Sequence, residues 1–219
     1  ELIRNRLTSV QRIGVTNERL GESNVLQKVL QADRESLRRT MEQIDNSAFD
    51  QAVQAIIAAR KIYIIGVRSA AALASFLNYY FTHIFEDVRN LDTGSTSVIF
   101  EQMLRIRPED VFIAITFSRY SSRTYKAAAY AKQNGAKVIA ITDSLTAPIC
   151  KVADHVLVAR SDMASFVDSL VAPLSLINAL IVAIGLQKKD EIAQVYTRLE
   201  TIWDEYHVYE KGEPDVPTP

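Results

Sequence analysis

Cysteine occurs once in the 219 residues, at Cys150. That excludes an intrachain disulfide and any metal site built from several thiolates, and it fits a reducing cytoplasm. Beside apolar Ile149, the lone thiol reads as a small core residue rather than a nucleophile. Glycine (7) and proline (6) are scarce, which excludes collagen-like and low-complexity chains. Excess charge is missing too: 25 Lys+Arg stand against 26 Asp+Glu, a net charge of −1. A nucleic-acid binder usually shows a basic surplus, because neutralising phosphates drives its binding. Contact with DNA would therefore have to come from outside these residues. Long hydrophobic runs are absent as well. The longest apolar stretch, residues 170–186, is interrupted by Pro173, Ser175 and Asn178, so it reads as a buried helix rather than a membrane span. Residues 1–7 are polar and charged, unlike a signal peptide.

What is present divides into zones. Residues 1–46 hold two glycines, no proline and charges of both signs. From Ser23 on, Leu26, Leu30, Leu37, Met41 and Ile44 recur at helical spacing, which predicts one long amphipathic helix capped by Ser23 or Asn24. Residues 1–20 read as a shorter helix or linker. From Ser47, read as a helix cap, short apolar runs alternate with helical patterns. The runs are 61–66, a weak 87–91, 111–116, 137–142 and 155–159, and a helix spanning 165–186 and another spanning 189–206 complete the unit. The expected fold is α/β, a three-layer α/β/α sandwich on a five-stranded parallel sheet of flavodoxin-like order 2-1-3-4-5, with N-terminal helices in addition. The domain reading is 1–46 as linker helices, 47–206 as the folded unit, and a disordered tail at 207–219.

In such a sheet the ligand sits at the carboxyl ends of the strands where their order reverses, here between the first and third strands. The loop after the first reads Gly66-Val67-Arg68-Ser69. Glycine permits a tight turn, Arg68 adds a positive charge, and Ser69 stands at a helix start whose free N–H groups suit an anion. Ser69 as a plain helix cap is the simpler alternative. The loop after the third strand reads Phe117-Ser118-Arg119-Tyr120-Ser121-Ser122-Arg123-Thr124. Its hydroxyls can donate to phosphate oxygens and its arginines can pair bidentately; an ordinary polar loop with a capping serine is again the alternative. Two such loops flanking one switch point favour a phosphate site. In a third segment, Thr142-Asp143-Ser144-Leu145-Thr146-Ala147-Pro148, either the hydroxyls reach the polar end of the ligand or Asp143 and Ser144 only make the turn.

The Gly66–Ser69 loop and the Ser/Thr loop resemble the phosphate-binding signatures of the SIS (sugar isomerase) fold, and Thr142-Asp143-Ser144 with Ala147-Pro148 resembles its next segment. The likeness covers about residues 47–188. Within that group the sequence is most similar to RpiR-type bacterial regulators, through Arg68, Phe117-x-Arg119-Tyr120-Ser121 and the stretch Asp168-Ser169-Leu170-Val171-Ala172-Pro173. The resemblance implies a cytoplasmic sensor of a phosphosugar effector, binding through Gly66, Arg68, Ser69, Ser118, Arg119, Ser121, Thr124 and Ser144. It implies control of DNA binding through an N-terminal helix-turn-helix, for which residues 1–22 are too few, and a homodimer or homotetramer. No cofactor, metal or catalytic residue is expected. The sequence departs from the sugar isomerases, which usually carry a glycine where Arg68 stands and another near Arg119. Aldose–ketose isomerisation needs a general base near the ligand, and His83, His155, His207, Glu86 and Glu101 all fall outside these loops. An isomerase is the alternative reading, and a dimerisation module without a ligand is a third.

Overall fold

The computed structural model describes residues 11, 24–162 and 167–209. The readings for residues 1–20 and for the tail from 210 on fall outside these, Gln11 apart.

Four of the strands form where the sequence offers a short apolar run, and the remaining one, Val88-Arg89-Asn90, is a three-residue edge strand. The strands are β1 (Ile62–Gly66), β2 (Val88–Asn90), β3 (Val111–Ile115), β4 (Lys137–Thr142) and β5 (His155–Val158). They pair in parallel in the order β2-β1-β3-β4-β5, as expected from the sequence. Every residue of β1 and β3 is buried, as a sheet covered on both faces requires. Alternate side chains serve two cores. Ile62, Ile64, Val111, Ile113 and Ile115 pack beneath α2 (Asn46–Ile57), α3 (Ala70–Ile84) and α6 (Val171–Gln187). On the other face, Tyr63, Ile65, Phe112 and Ala114 meet α4 (Thr96–Gln102), α5 (Ser122–Gln133) and the 3₁₀ turn Pro148–Lys151. α5 turns Ala127, Ala128 and Ala131 inward, which lets it lie close to the sheet.

The long N-terminal helix, α1 (Val25–Gln43), lies against α6 and is bolted to the β5–α6 connection. The Ser169 hydroxyl donates to Asp33 (2.6 Å), and the Arg160 N–H donates to the buried hydroxyl of Thr40 (2.9 Å). α7 (Lys189–Glu205) turns away from α6 and packs on α3.

Several boundaries differ from the expectation, each for a local reason. Asn24 precedes α1 with φ 58° and makes no side-chain cap. Asp45, not Ser47, caps α2 by accepting from the Ala48 N–H at 3.1 Å. α6 begins at Val171 instead of residue 165. That start sets Pro173 in the first turn, where no N–H is required of it, whereas a start at 165 would bury the ring inside the helix. Residues 167–170 are released from the helix, with consequences for the site.

Candidate functional site

The register of β1 against β3 sets Gly66 opposite Ile115, so both strands end at one level and their loops leave side by side. Gly66 is required there by space: a Cβ would lie 2.3 Å from the Ala70 carbonyl oxygen, so α3 could not begin so close to the strand. Between the loops lies a cavity of about 280 Å³. Val67, Arg68, Ser69 and Ala70 line it from the first loop, and Thr116, Phe117, Ser118, Arg119 and Ser121 from the second. Val167, Asp168 and Leu170, from the segment before α6, close a third side. The amino ends of α3 and α5 flank this space, and their unpaired N–H groups and dipoles favour an anion.

The hydroxyls are arranged differently from one another. Ser69 makes no capping bond, which leaves its hydroxyl available to the cavity. Ser121 caps α5, its oxygen accepting from the Thr124 N–H at 3.3 Å, and so keeps its proton for a ligand. The Ser118 hydroxyl donates to the Asp143 carboxylate at 2.5 Å. Its proton therefore points to Asp143 and its oxygen faces the cavity wall. Arg68 and Arg119 are exposed on the cavity wall, and both hold left-handed backbone, with φ 62° and 64°. That conformation is normally left to glycine and costs other residues roughly 1–2 kcal/mol.

Three other expected contacts do not form part of the wall. Thr124 is fully buried under the first turn of α5, and its hydroxyl oxygen has no hydrogen-bond partner among the described residues. Ser144 bonds with Thr146, the hydroxyls 2.8 Å apart and the Thr146 N–H donating at 3.1 Å. Arg123 reaches the Thr93 carbonyl at 3.0 Å instead of the cavity. The histidines also stay away: His83 contacts Tyr196 (3.4 Å), and His155 lies at the amino end of β5. Burial pushes the Cys150 thiol up, so it stays protonated, in keeping with its reading as a packing residue. Among the described residues, no group of three or more His, Cys, Asp and Glu is placed to hold a metal ion.

Asp168 and Asp143 are what sequence reasoning missed as site residues. The sequence pattern puts Asp168 inside a helix, and Pro173 is the signal for a later start of that helix. Asp143 reads from the sequence as a turn former, and no pattern in the chain announces its partners.

The sequence of residues 55–183 matches the SIS domain. The chain belongs to that family. An RpiR transcription factor of Sphaerobacter thermophilus, solved as its sugar isomerase domain, is similar at 28% identity. Its TM-score is 0.75 over 79% of this SIS chain and 96% of that one. The Vibrio vulnificus NanR protein, solved in complex with ManNAc-6P, shares the fold at 19% identity, with a TM-score of 0.72 over 89% of this chain and 75% of that one. A curated relative from Haemophilus influenzae, described as an uncharacterized HTH-type transcriptional regulator, is 28% identical over 173 residues. The match takes in 77% of this chain but only 59% of that relative, so the SIS chain spans about three-fifths of the regulator's length.

Proposed function

We propose that this SIS domain is the effector-binding part of a bacterial transcriptional regulator that senses a phosphorylated sugar. One observation carries the reading: a cavity at the strand-order reversal, flanked by two helix amino ends and lined by Arg68, Arg119, Ser69 and Ser121. Dipoles, N–H groups and guanidinium groups converge there on the space a phosphate dianion would fill. In this reading Arg68, Ser69, Arg119 and Ser121 hold the phosphate end. Gly66 admits α3 to the site, Thr124 supports the α5 end from beneath, and Ser144 shapes the neighbouring turn. The sensor unit is residues 47–206, acting in the cytoplasm as a homodimer or homotetramer, with DNA bound through a helix-turn-helix preceding residues 1–46.

The route to DNA runs through α1. Ser169 lies between the cavity residues Asp168 and Leu170 and is hydrogen-bonded to Asp33 of α1. An effector that binds the two positions of this segment unequally shifts α1 by that difference in affinity and no more. Calorimetric titration with hexose and N-acetylhexosamine phosphates, beside the unphosphorylated sugars, tests the reading. Binding confined to the phosphorylated compounds is expected; a panel with no binder removes the sensor function.

Asp168 favours a second reading, an aldose–ketose isomerase. It sets a carboxylate, a group able to act as a base, in the cavity. Ketose formation from an aldose phosphate, abolished in Asp168→Asn, would establish that reading.

A further inference from the structure

The carboxylate of Asp143, at the end of β4, is 9% exposed and lies under the second loop. Oδ2 accepts from the Ser118 N–H (3.1 Å) and the Ser118 hydroxyl (2.5 Å), and Oδ1 accepts from the Tyr120 hydroxyl (2.9 Å). Thr142 adds a long contact to Oδ1 at 3.5 Å. No arginine, lysine or histidine pairs with Asp143 among the described residues. Its charge is met by loop donors instead, and hydrogen bonds to a charged group are the stronger kind.

Those donors stand on either side of Arg119, the residue held at φ 64°. A left-handed arginine persists only where its surroundings over-determine it, and the bonds from residues 118 and 120 to one carboxylate supply that constraint. The same bonds fix the polarity of Ser118. With its proton on Asp143, the oxygen can offer only lone pairs to the cavity. A phosphate oxygen brought there would meet an acceptor; a sugar hydroxyl would find a partner.

We propose that Asp143 is a positioning residue of the effector site. It clamps Ser118 and Tyr120 about left-handed Arg119 and turns Ser118 into an acceptor that reads a ligand hydroxyl. The clamp is a property of the loop itself. Its use in recognition rests on the phosphosugar reading above.

The test separates the two. Carbon-13 Cα and Cβ shifts of Arg119, in the labelled full chain without ligand, report its φ, and the Ser118 amide proton shift reports its bond to the carboxylate. In Asp143→Ala both signatures are expected to relax towards ordinary loop values, while Asp143→Asn, which keeps one acceptor oxygen, recovers part of them. An Arg119 signature unchanged in folded Asp143→Ala overturns the proposal. Should that variant not fold, Tyr120→Phe decides. It removes one bond from a half-buried ring, and an unmoved Arg119 shift in it is equally fatal. Binding is then read with two probes, inorganic phosphate and glucose 6-phosphate. Asp143→Ala is expected to weaken glucose 6-phosphate by about tenfold, the scale of one lost buried hydrogen bond. Ser118→Ala is expected to weaken glucose 6-phosphate and to leave inorganic phosphate unchanged. Equal losses for both probes would refute the acceptor role of Ser118. If neither these probes nor any member of the hexose and N-acetylhexosamine phosphate panel perturbs residues 118–121 of the wild type, the phosphosugar reading and the recognition role fall, and the Arg119 signature still decides the clamp.

Discussion

The two ends of the sheet meet the same structural problems with opposite choices of residue. Each end buries an aspartate. At the amino end Asp110 is fully buried and paired with the Arg60 guanidinium (2.8 Å), and it accepts from the Arg107 N–H. At the carboxyl end Asp143 is met, among the described residues, by hydroxyls and one backbone N–H. Each end also needs positive-φ backbone. The turn from α5 into β4 uses Gly135 at φ 82°, whereas the cavity loops use Arg68 and Arg119. One end is built for stability, with the residues that cost least. The other tolerates strain where charge is wanted, the usual mark of a functional site.

The largest expected effect separates the two acids. Asp110→Ala strands the Arg107 N–H and removes the partner of Arg60, so stability falls by about 2–3 kcal/mol while phosphosugar affinity stays unchanged. At the other end, Asp143→Ala costs about 1 kcal/mol, because the half-buried Ser118 and Tyr120 hydroxyls can turn to water, and it is affinity that drops. Urea midpoints read beside binding titrations give both numbers. If Asp110→Ala lost affinity as well, the division between the ends would be false. Gly135→Ala comes next. A Cβ there would sit 2.9 Å from Pro108 Cγ, on backbone that disfavours any side chain, and about 1–2 kcal/mol of stability is expected to go, again without change in binding.

The sheet was legible because its signal is local. Runs such as Ile62–Gly66 and Val111–Ile115 are long enough, and apolar enough on both faces, to be read from pattern alone, and parallel pairing with its reversal point follows from the alternation. Loop positions were legible for the same reason, since Gly66 marks the end of β1 and Ser121 a helix start. Hydrogen-bond direction was not. That Ser118 spends its proton on Asp143, 25 residues away, depends on how β4 lies beside β3, and Thr124 and Ser144 could not be told from Ser69 before their backbones were placed. The start of α6 is not fixed by the apolar pattern, which runs on through residues 165–170, whereas Pro173 in the first turn sets the helix to begin at Val171.

Arg119→Gly inverts the Gly135 experiment. Glycine relieves the left-handed strain, worth roughly 1–2 kcal/mol, but loosens the unfolded chain by about 0.4–1 kcal/mol, so a gain between zero and about 1.6 kcal/mol is expected. Affinity for the phosphosugar falls, since a guanidinium leaves the cavity wall. A gain in thermal midpoint together with weaker binding would mark Arg119 as a residue kept for its charge at the expense of stability. A loss of stability would mean that its side-chain contacts outweigh the backbone strain.

The smallest effect concerns the amino end alone. Burial first, and then the nearby Lys137 and Lys132, hold the His155 imidazole below its ordinary range, although Asp154 works the other way. A group whose folded pKa is depressed binds protons more readily in the unfolded chain. Stability tied to His155 is therefore complete above about pH 6.5, the ordinary histidine value, and is lost as the pH falls through the lower folded pKa. Urea midpoints of wild type and His155→Gln, compared between about pH 7 and pH 5, should converge as the pH drops, because the variant lacks this one titration. Phosphosugar affinity should show no difference between the two proteins across the same window, since His155 stands at the opposite end of the sheet from the cavity. A binding difference that tracks His155 would mean that the two ends communicate, and the separation drawn between them would have to be abandoned.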